Sequence, residues 1–104
     1  MLDDDEYLRV WEALRDARVD QTTTLSEEDL VMLLRAFVTH GGQVSRQDLA
    51  GELGKTPEWT SKIVRVLKSE KLIRSTKGRL GGYRATPKFT RFLKLAIQKG
   101  ELEA

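Results

Sequence analysis

The stretch from Ser45 to Thr86, SRQDLAGELGKTPEWTSKIVRVLKSEKLIRSTKGRLGGYRAT, decides the fold of this chain. It contains two helix-start signals, Ser45 and the pair Thr56-Pro57, and between them Gly54, which ends a short first helix. Ser and Thr side chains cap the free N–H groups of a first helical turn, and Pro fits there because its missing N–H costs nothing. The stretch therefore predicts two short helices joined by a tight turn, a helix–turn–helix.

The helical period ends near Lys71, and the residues that follow predict a β-hairpin. Residues 72–75 and 83–85 are short apolar or β-branched segments, and the turn between them holds three glycines and the cations Lys77 and Arg79. A helix–turn–helix followed directly by a hairpin with a basic tip is the layout of a winged helix. We refer to residues 76–82 as the wing.

Amphipathic helices are predicted on both sides of this unit. Their apolar stripes recur at spacings of three and four and consist of Tyr7, Leu8, Trp11, Leu14, Phe89, Phe92, Leu93 and Ile97. A further helix is predicted between the cap at Ser26 and the glycine at Gly41. The fold class is α+β and mostly helical, a winged helix–turn–helix with extra N- and C-terminal helices. We divide the chain into an N-terminal helix and connector at 1–25, a winged-helix domain at 26–86, and a C-terminal helix and tail at 87–104.

Composition excludes several functional classes. The 104 residues include no cysteine and one histidine, His40, which excludes disulfides, cysteine-bound clusters and histidine-rich metal sites. No apolar run approaches the ~20 residues of a membrane span, and four acids in a row, residues 3–6, stand near the start of the sequence. Neighbouring carboxylates such as Glu27 and Glu28 fit a first helical turn, where the helix dipole explains them. We therefore expect a cytoplasmic protein that is not an enzyme and uses no metal, cofactor or membrane.

The charges are divided unevenly along the chain. Residues 1–29 hold ten acids and three bases, whereas residues 55–99 hold thirteen bases and only two acids, Glu58 and Glu70. An acidic end next to a basic body indicates a polyanionic partner, although charged faces are often only solvated surface. Hydroxyl, ammonium and guanidinium groups on an exposed helix bond base edges and phosphates in the major groove. The predicted contacts to double-stranded DNA are Arg46, Thr56, Ser61, Lys62, Arg65, Lys77, Gly78, Arg79 and Arg84.

The apolar stripes of the two flanking helices carry a further prediction. They contain more apolar surface than a core of this size needs, and a symmetric pairing of two copies would bury both stripes. The predicted homodimer interface consists of Tyr7, Leu8, Trp11, Leu14, Phe89, Phe92, Leu93 and Ile97. Such a dimer would present two recognition helices about one DNA turn apart, roughly 34 Å.

The segment from Val44 to Thr86 resembles a bacterial or archaeal winged-helix transcription regulator. The nearest resemblance is to the iron–sulfur and cysteine-metabolism repressors of the IscR and CymR type, whose wing carries the motif R-G-x-x-G-G-Y. The matching positions here are Gly78, Gly81, Gly82 and Tyr83, with Lys77 in place of the arginine. The start of the last helix, at Thr86-Pro87, is also similar to that of MarR- and PadR-type regulators.

This resemblance implies a homodimer on a palindromic site, with the third helix of the winged-helix unit in the major groove and the wing on the minor groove or the backbone. The cysteines that hold the family's cluster are missing, so a redox-sensing role does not carry over. The function predicted is a small homodimeric transcription regulator that binds double-stranded DNA sequence-specifically. Two alternatives remain: a winged helix used as a protein-interaction module, and a replication, partition or viral accessory factor.

Overall fold

The computed structural model describes residues 3–18, 24–76 and 81–103. Within them the helices and strands follow the order α1 (Asp4–Asp16), α2 (Glu27–Thr39), β1 (Gln43–Val44), α3 (Arg46–Leu53), α4 (Pro57–Ser69), β2 (Ile73–Ser75), β3 (Tyr83–Ala85) and α5 (Pro87–Gln98). The mostly helical winged-helix class predicted from the sequence is confirmed. No helix in these ranges has both the length and the apolar character that crossing a bilayer requires.

Side-chain caps fix where the helices begin. The hydroxyl oxygens of Ser26, Ser45, Thr56 and Thr86 each accept the backbone N–H of the residue three positions on, at 3.1, 3.0, 3.2 and 3.4 Å. Each bond satisfies an N–H group that has no partner inside the helix. Gly54 ends α3 with a φ of 63°, in the left-handed region that glycine enters readily. The predicted starts of α2 to α5 are therefore confirmed.

The hairpin belongs to a three-stranded antiparallel sheet with the order β1-β3-β2. Strand β1 was not predicted, because two residues are too few to show an alternating pattern. It is held beside β3 by the Ala85 N–H, which donates to the Gly42 carbonyl at 2.7 Å, and by the buried side chain of Val44. A Cβ at Gly82 would lie 2.8 Å from the Val44 carbonyl oxygen, so the two strands approach this closely only because glycine occupies position 82.

One hydrophobic core extends through the chain from α1 to α5. Phe92 of α5 lies at its centre, with its ring 5.2 Å from the rings of both Tyr7 and Trp11 and 6.1 Å from Phe89. Phe89 in turn contacts Phe37 of α2 at 5.3 Å, edge to face. Aromatic pairs in such geometries add to the stabilisation from apolar burial. The flanking helices α1 and α5 are thus built into the core of the winged helix.

This packing corrects the argument for the dimer interface. The apolar stripes of α1 and α5 cover each other, and six of the eight predicted interface residues are at most 6% exposed: Tyr7, Trp11, Leu14, Phe89, Phe92 and Leu93. Ile97 is partly buried against the same core. Of these eight residues, only Leu8, at 55% exposure, keeps a large apolar surface open. The sequence shows that a helix has an apolar stripe but not which surface covers it, and here α1 and α5 pair within one chain.

Candidate nucleic-acid interface

Helix α4 is anchored by one buried face. Ile63, Val64 and Leu67 are at most 4% exposed, and Leu67 lies four residues from Ile63 and three from Val64 on one side of the helix. Thr60 is also buried, and its hydroxyl donates to the Thr56 carbonyl at 3.0 Å, so this polar group is satisfied inside the helix. The indole of Trp59 is half-buried at the edge of the core, with the Lys55 ammonium 5.4 Å from its ring centre. The orientation of α4 is therefore fixed by packing.

The opposite face of α4 is exposed and basic. Ser61, Lys62 and Arg65 are all exposed on it, since Arg65 is three residues from Lys62 and four from Ser61, and we call these three side chains the recognition face. Neither Lys62 nor Arg65 forms an ion pair with any residue in the described ranges. Exposed cations on a rigidly held helix of this width suit the phosphates and base edges of a major groove.

Arg46 and Thr56 lie at the starts of the two helices of the helix–turn–helix. Arg46 is the exposed first residue of α3, and its guanidinium approaches the wing at Gly81, to within 3.9 Å of where a Cβ there would lie. Thr56 is exposed, and its side chain is used as the cap of α4. The start of α3 and the root of the wing are therefore neighbours. Three predicted contacts in the wing, Lys77, Gly78 and Arg79, lie outside the described residues.

Arg84 lies apart from the recognition face, on the outer side of the sheet. In the register of the sheet it is opposite Arg74 of β2 and Gln43 of β1, while its neighbour Tyr83 is buried. The exposed positions on this side line a groove of about 720 Å³ at the base of the hairpin, together with Arg91 and Lys94 of α5. No residue of α4 lines this groove.

Sequence reasoning missed Arg74, Arg91 and Lys94 as members of a cluster. Arg74 and Arg84 occupy the outward positions of two paired strands. Because side chains alternate between the two faces of a strand, the sequence indicates that both point outward. Arg91 and Lys94 are three residues apart on α5, a spacing that also indicates a shared face. That the two pairs meet depends on how α5 packs against the sheet, and the sequence carries no local signal for this packing.

No cluster of metal-ligating side chains accompanies these surfaces in the ranges 3–18, 24–76 and 81–103. No three or more metal-ligating side chains come together there. The ring of His40 hydrogen-bonds the Glu52 carboxylate, joining the end of α2 to α3. This pair therefore contributes to helix packing.

The three-stranded sheet, the helix–turn–helix and the exposed basic face of α4 together define a winged-helix DNA-binding domain. The chain belongs to the family described as winged helix-turn-helix transcription repressor, HrcA DNA-binding, whose model matches residues 21–99. It is thus a DNA-binding transcription regulator of a repressor family, which agrees with the prediction that it is not an enzyme.

Two of the solved structures that match this chain illustrate the shared fold. The antimony-specific transcriptional repressor AntR is 21% identical, with a TM-score of 0.58 over 97% of this chain and 85% of that one. The organohalide-sensing regulator RdhR, in its 2,4-dichlorophenol-bound form, is 20% identical, with a TM-score of 0.60 over 90% of this chain and 59% of that one. A comparison with curated proteins found no significant match. The finer resemblance to IscR and CymR stays a prediction.

Proposed function

We propose that this protein binds double-stranded DNA sequence-specifically by inserting α4 into the major groove. The observation that carries this proposal is the recognition face: two cations and a hydroxyl, exposed on a helix whose other face is fixed in the core. An arginine in this position bonds the two acceptors of a guanine edge, and a lysine bonds one acceptor or a phosphate. Arg65 and Lys62 are the side chains proposed to read bases.

The wing is proposed to contact the minor groove or the phosphate backbone beside the helix. Arg46 at the start of α3 lies next to the root of the wing, so a phosphate strand that passes along the wing would also pass this guanidinium. The wing motif shared with IscR- and CymR-type repressors supports the same docking. Because the chain has no cysteine, the proposal includes no cluster sensing.

A homodimer on a palindromic site is part of the proposal. A single α4 reads only a few base pairs, and two copies related by a two-fold axis double the length of the site. Of the interface predicted from the sequence, the surface that supports pairing is now limited to Leu8 and Ile97. Sedimentation at micromolar concentration tests this part separately: a clean monomer, both free and bound to DNA, would remove the dimer from the proposal.

The experiment that tests the proposed function is selection of binding sites from a pool of random duplex DNA. We expect one enriched motif, with two inverted half-sites about 10 base pairs apart if the dimer forms. An enriched motif without symmetry would retain sequence-specific binding and contradict the palindrome. No enrichment, combined with no mobility shift on any duplex at low salt, would contradict DNA binding and favour the protein-interaction alternative.

A further inference from the structure

The groove on the outer side of the sheet has an unusual charge content. We call it the basic groove; its cationic lining consists of Arg74, Arg84, Arg91 and Lys94. No acidic residue lines it, and none of the four cations forms an ion pair or a hydrogen bond with another described residue. Four cations are thus gathered around one space without a counter-charge from the described parts of the chain.

Two of these cations face each other directly in the sheet. Arg74 and Arg84 are register partners on the same face of an antiparallel pair, an arrangement that is unfavourable for like charges. An anion placed between them would remove this repulsion and gain charge-assisted hydrogen bonds. The arrangement therefore favours an anionic occupant over an empty groove.

An apolar cleft adjoins the basic groove. It has a volume of about 200 Å³, and its apolar walls are Phe37, Val38, Leu93 and Ile97. The cleft and the groove share Gly41, Gly42, Thr90 and Lys94, so they form one continuous depression with an apolar end and a cationic end. A cavity of about 150 Å³ is enough for a benzene ring, so the cleft has room for an apolar body of that size.

We propose that this depression binds a small organic anion, with an apolar body about the size of a benzene ring in the cleft and a carboxylate in the basic groove. Lys94 belongs to both walls and would hold the carboxylate where the body leaves the cleft, with Arg91 and Arg84 beside it. A DNA backbone would match the cations but has no apolar group of this kind to fill the cleft, and the depression has no wall from α4. The proposal concerns free protein and does not depend on the proposed DNA binding.

The test follows the amide signals of the ¹⁵N-labelled full chain while one probe at a time is added. Benzoate has both the apolar body and the charge, benzamide has the body alone, and inorganic phosphate has the charge alone. We expect benzoate to shift the amides of Gly41, Gly42, Thr90 and Lys94 saturably, and to bind about tenfold or more tightly than either other probe.

The variant Arg91→Ala/Lys94→Ala removes two cations from the wall. Both residues are exposed on α5, their side chains bond no other residue in the described ranges, and alanine favours a helix, so the fold should be retained. Benzoate affinity should fall about tenfold or more, to the level of benzamide. The matched control, Arg9→Ala/Arg35→Ala, removes two exposed arginines from α1 and α2 and should bind benzoate as the wild type does.

Several results would overturn the proposal. One is that benzoate causes no saturable shift, and another is that the two double variants bind benzoate with equal affinity. A third is that phosphate binds as tightly as benzoate, because the apolar end of the depression would then contribute nothing. A short DNA duplex provides the last comparison. The duplex could shift the same amides and bind Arg91→Ala/Lys94→Ala more weakly than the wild type. If benzoate does not bind in that case, the groove belongs to the DNA interface. Loss of DNA binding with benzoate binding intact would instead contradict only the proposed function.

Discussion

The layer formed by α1 and α5 and the face formed by α4 differ in how their side chains are used. In the first, Tyr7, Trp11 and Phe92 are buried against one another, and the Lys99 ammonium closes the edge of the layer 3.6 Å from the Asp4 carboxylate. On the recognition face the cations are exposed and form no ion pair in the described ranges. If α4 reads DNA as proposed, stability and DNA binding depend on different residues, and substitutions should separate the two properties.

The largest effect on stability is expected from Phe92→Ala, because this ring is fully buried at the centre of the aromatic cluster. Its loss leaves a cavity and should lower the free energy of unfolding by about 3–5 kcal/mol. Urea unfolding followed by circular dichroism measures this change. Glu12→Ala on the exposed side of α1 is the control and should cost less than about 0.5 kcal/mol. Equal effects would mean that α1 and α5 do not pack as described.

The next effect concerns the root of the wing. In Gly82→Ala the new Cβ would lie 2.8 Å from the Val44 carbonyl oxygen and 3.1 Å from Ser45 Cα, so the backbone has to move. We expect a loss of about 1–3 kcal/mol in the free energy of unfolding. Gly51→Ala, inside α3 with open space around its Cβ, should instead stabilise by about 0.4–1 kcal/mol. Thermal or urea unfolding of both variants checks this pair, and destabilisation of similar size in both would contradict the close approach of β1 and β3.

A smaller effect tests the edge of the α1–α5 layer. The Tyr7 hydroxyl donates to the Glu101 carboxylate at 2.8 Å, so Tyr7→Phe should cost about 0.5–1.5 kcal/mol. Burial, with the nearby Glu101 carboxylate, raises the pKa of Tyr7 above its usual value of 10.0. The stability that depends on the neutral phenol is therefore complete below pH 10.0 and is lost as the pH rises through the higher pKa of the folded state.

Urea unfolding at a series of alkaline pH values tests this dependence on Tyr7. The wild type should lose more stability above pH 10.0 than Tyr7→Phe does. Identical pH profiles for the two proteins would show that the phenol and Glu101 are not coupled.

Within the wing, Arg79 should affect DNA binding without affecting stability. Arg79→Ala should weaken binding to most sequences and reduce the slope of log affinity against log salt by about one for a single lost phosphate contact. Fluorescence anisotropy at several salt concentrations measures the slope. An unchanged slope together with altered sequence preference would assign Arg79 to base reading instead.

Local chemistry made most of the fold predictable. The caps at Ser45 and Thr56-Pro57 and the stop at Gly54 act over three or four residues, so their meaning can be read directly from the sequence. Strand β1 was missed because it exists only through pairing with β3, which is about forty residues away. The recognition face was predictable once the buried positions of α4 were assigned from their period.

Features that depend on packing between distant segments were harder to predict. The stripes of α1 and α5 were identified correctly as apolar, but their packing against each other within one chain was not predicted, because periodicity does not show what covers a helix. Of the four cations in the basic groove, only Arg84 was singled out from the sequence. Its other cations come from β2 and α5, and only the docking of α5 beside the sheet brings them together.

The most direct test of the central claim is the affinity of Lys62→Ala/Arg65→Ala for the selected duplex, compared with the wild type and with Arg9→Ala/Arg35→Ala. The two variants lose the same charge from exposed helix positions, so general electrostatic attraction is matched. If α4 reads DNA, discrimination between the selected duplex and a scrambled one should fall by about 1–3 kcal/mol per base contact only in the first variant, with unfolding unchanged. Equal discrimination in all three proteins would contradict the assignment of the recognition face.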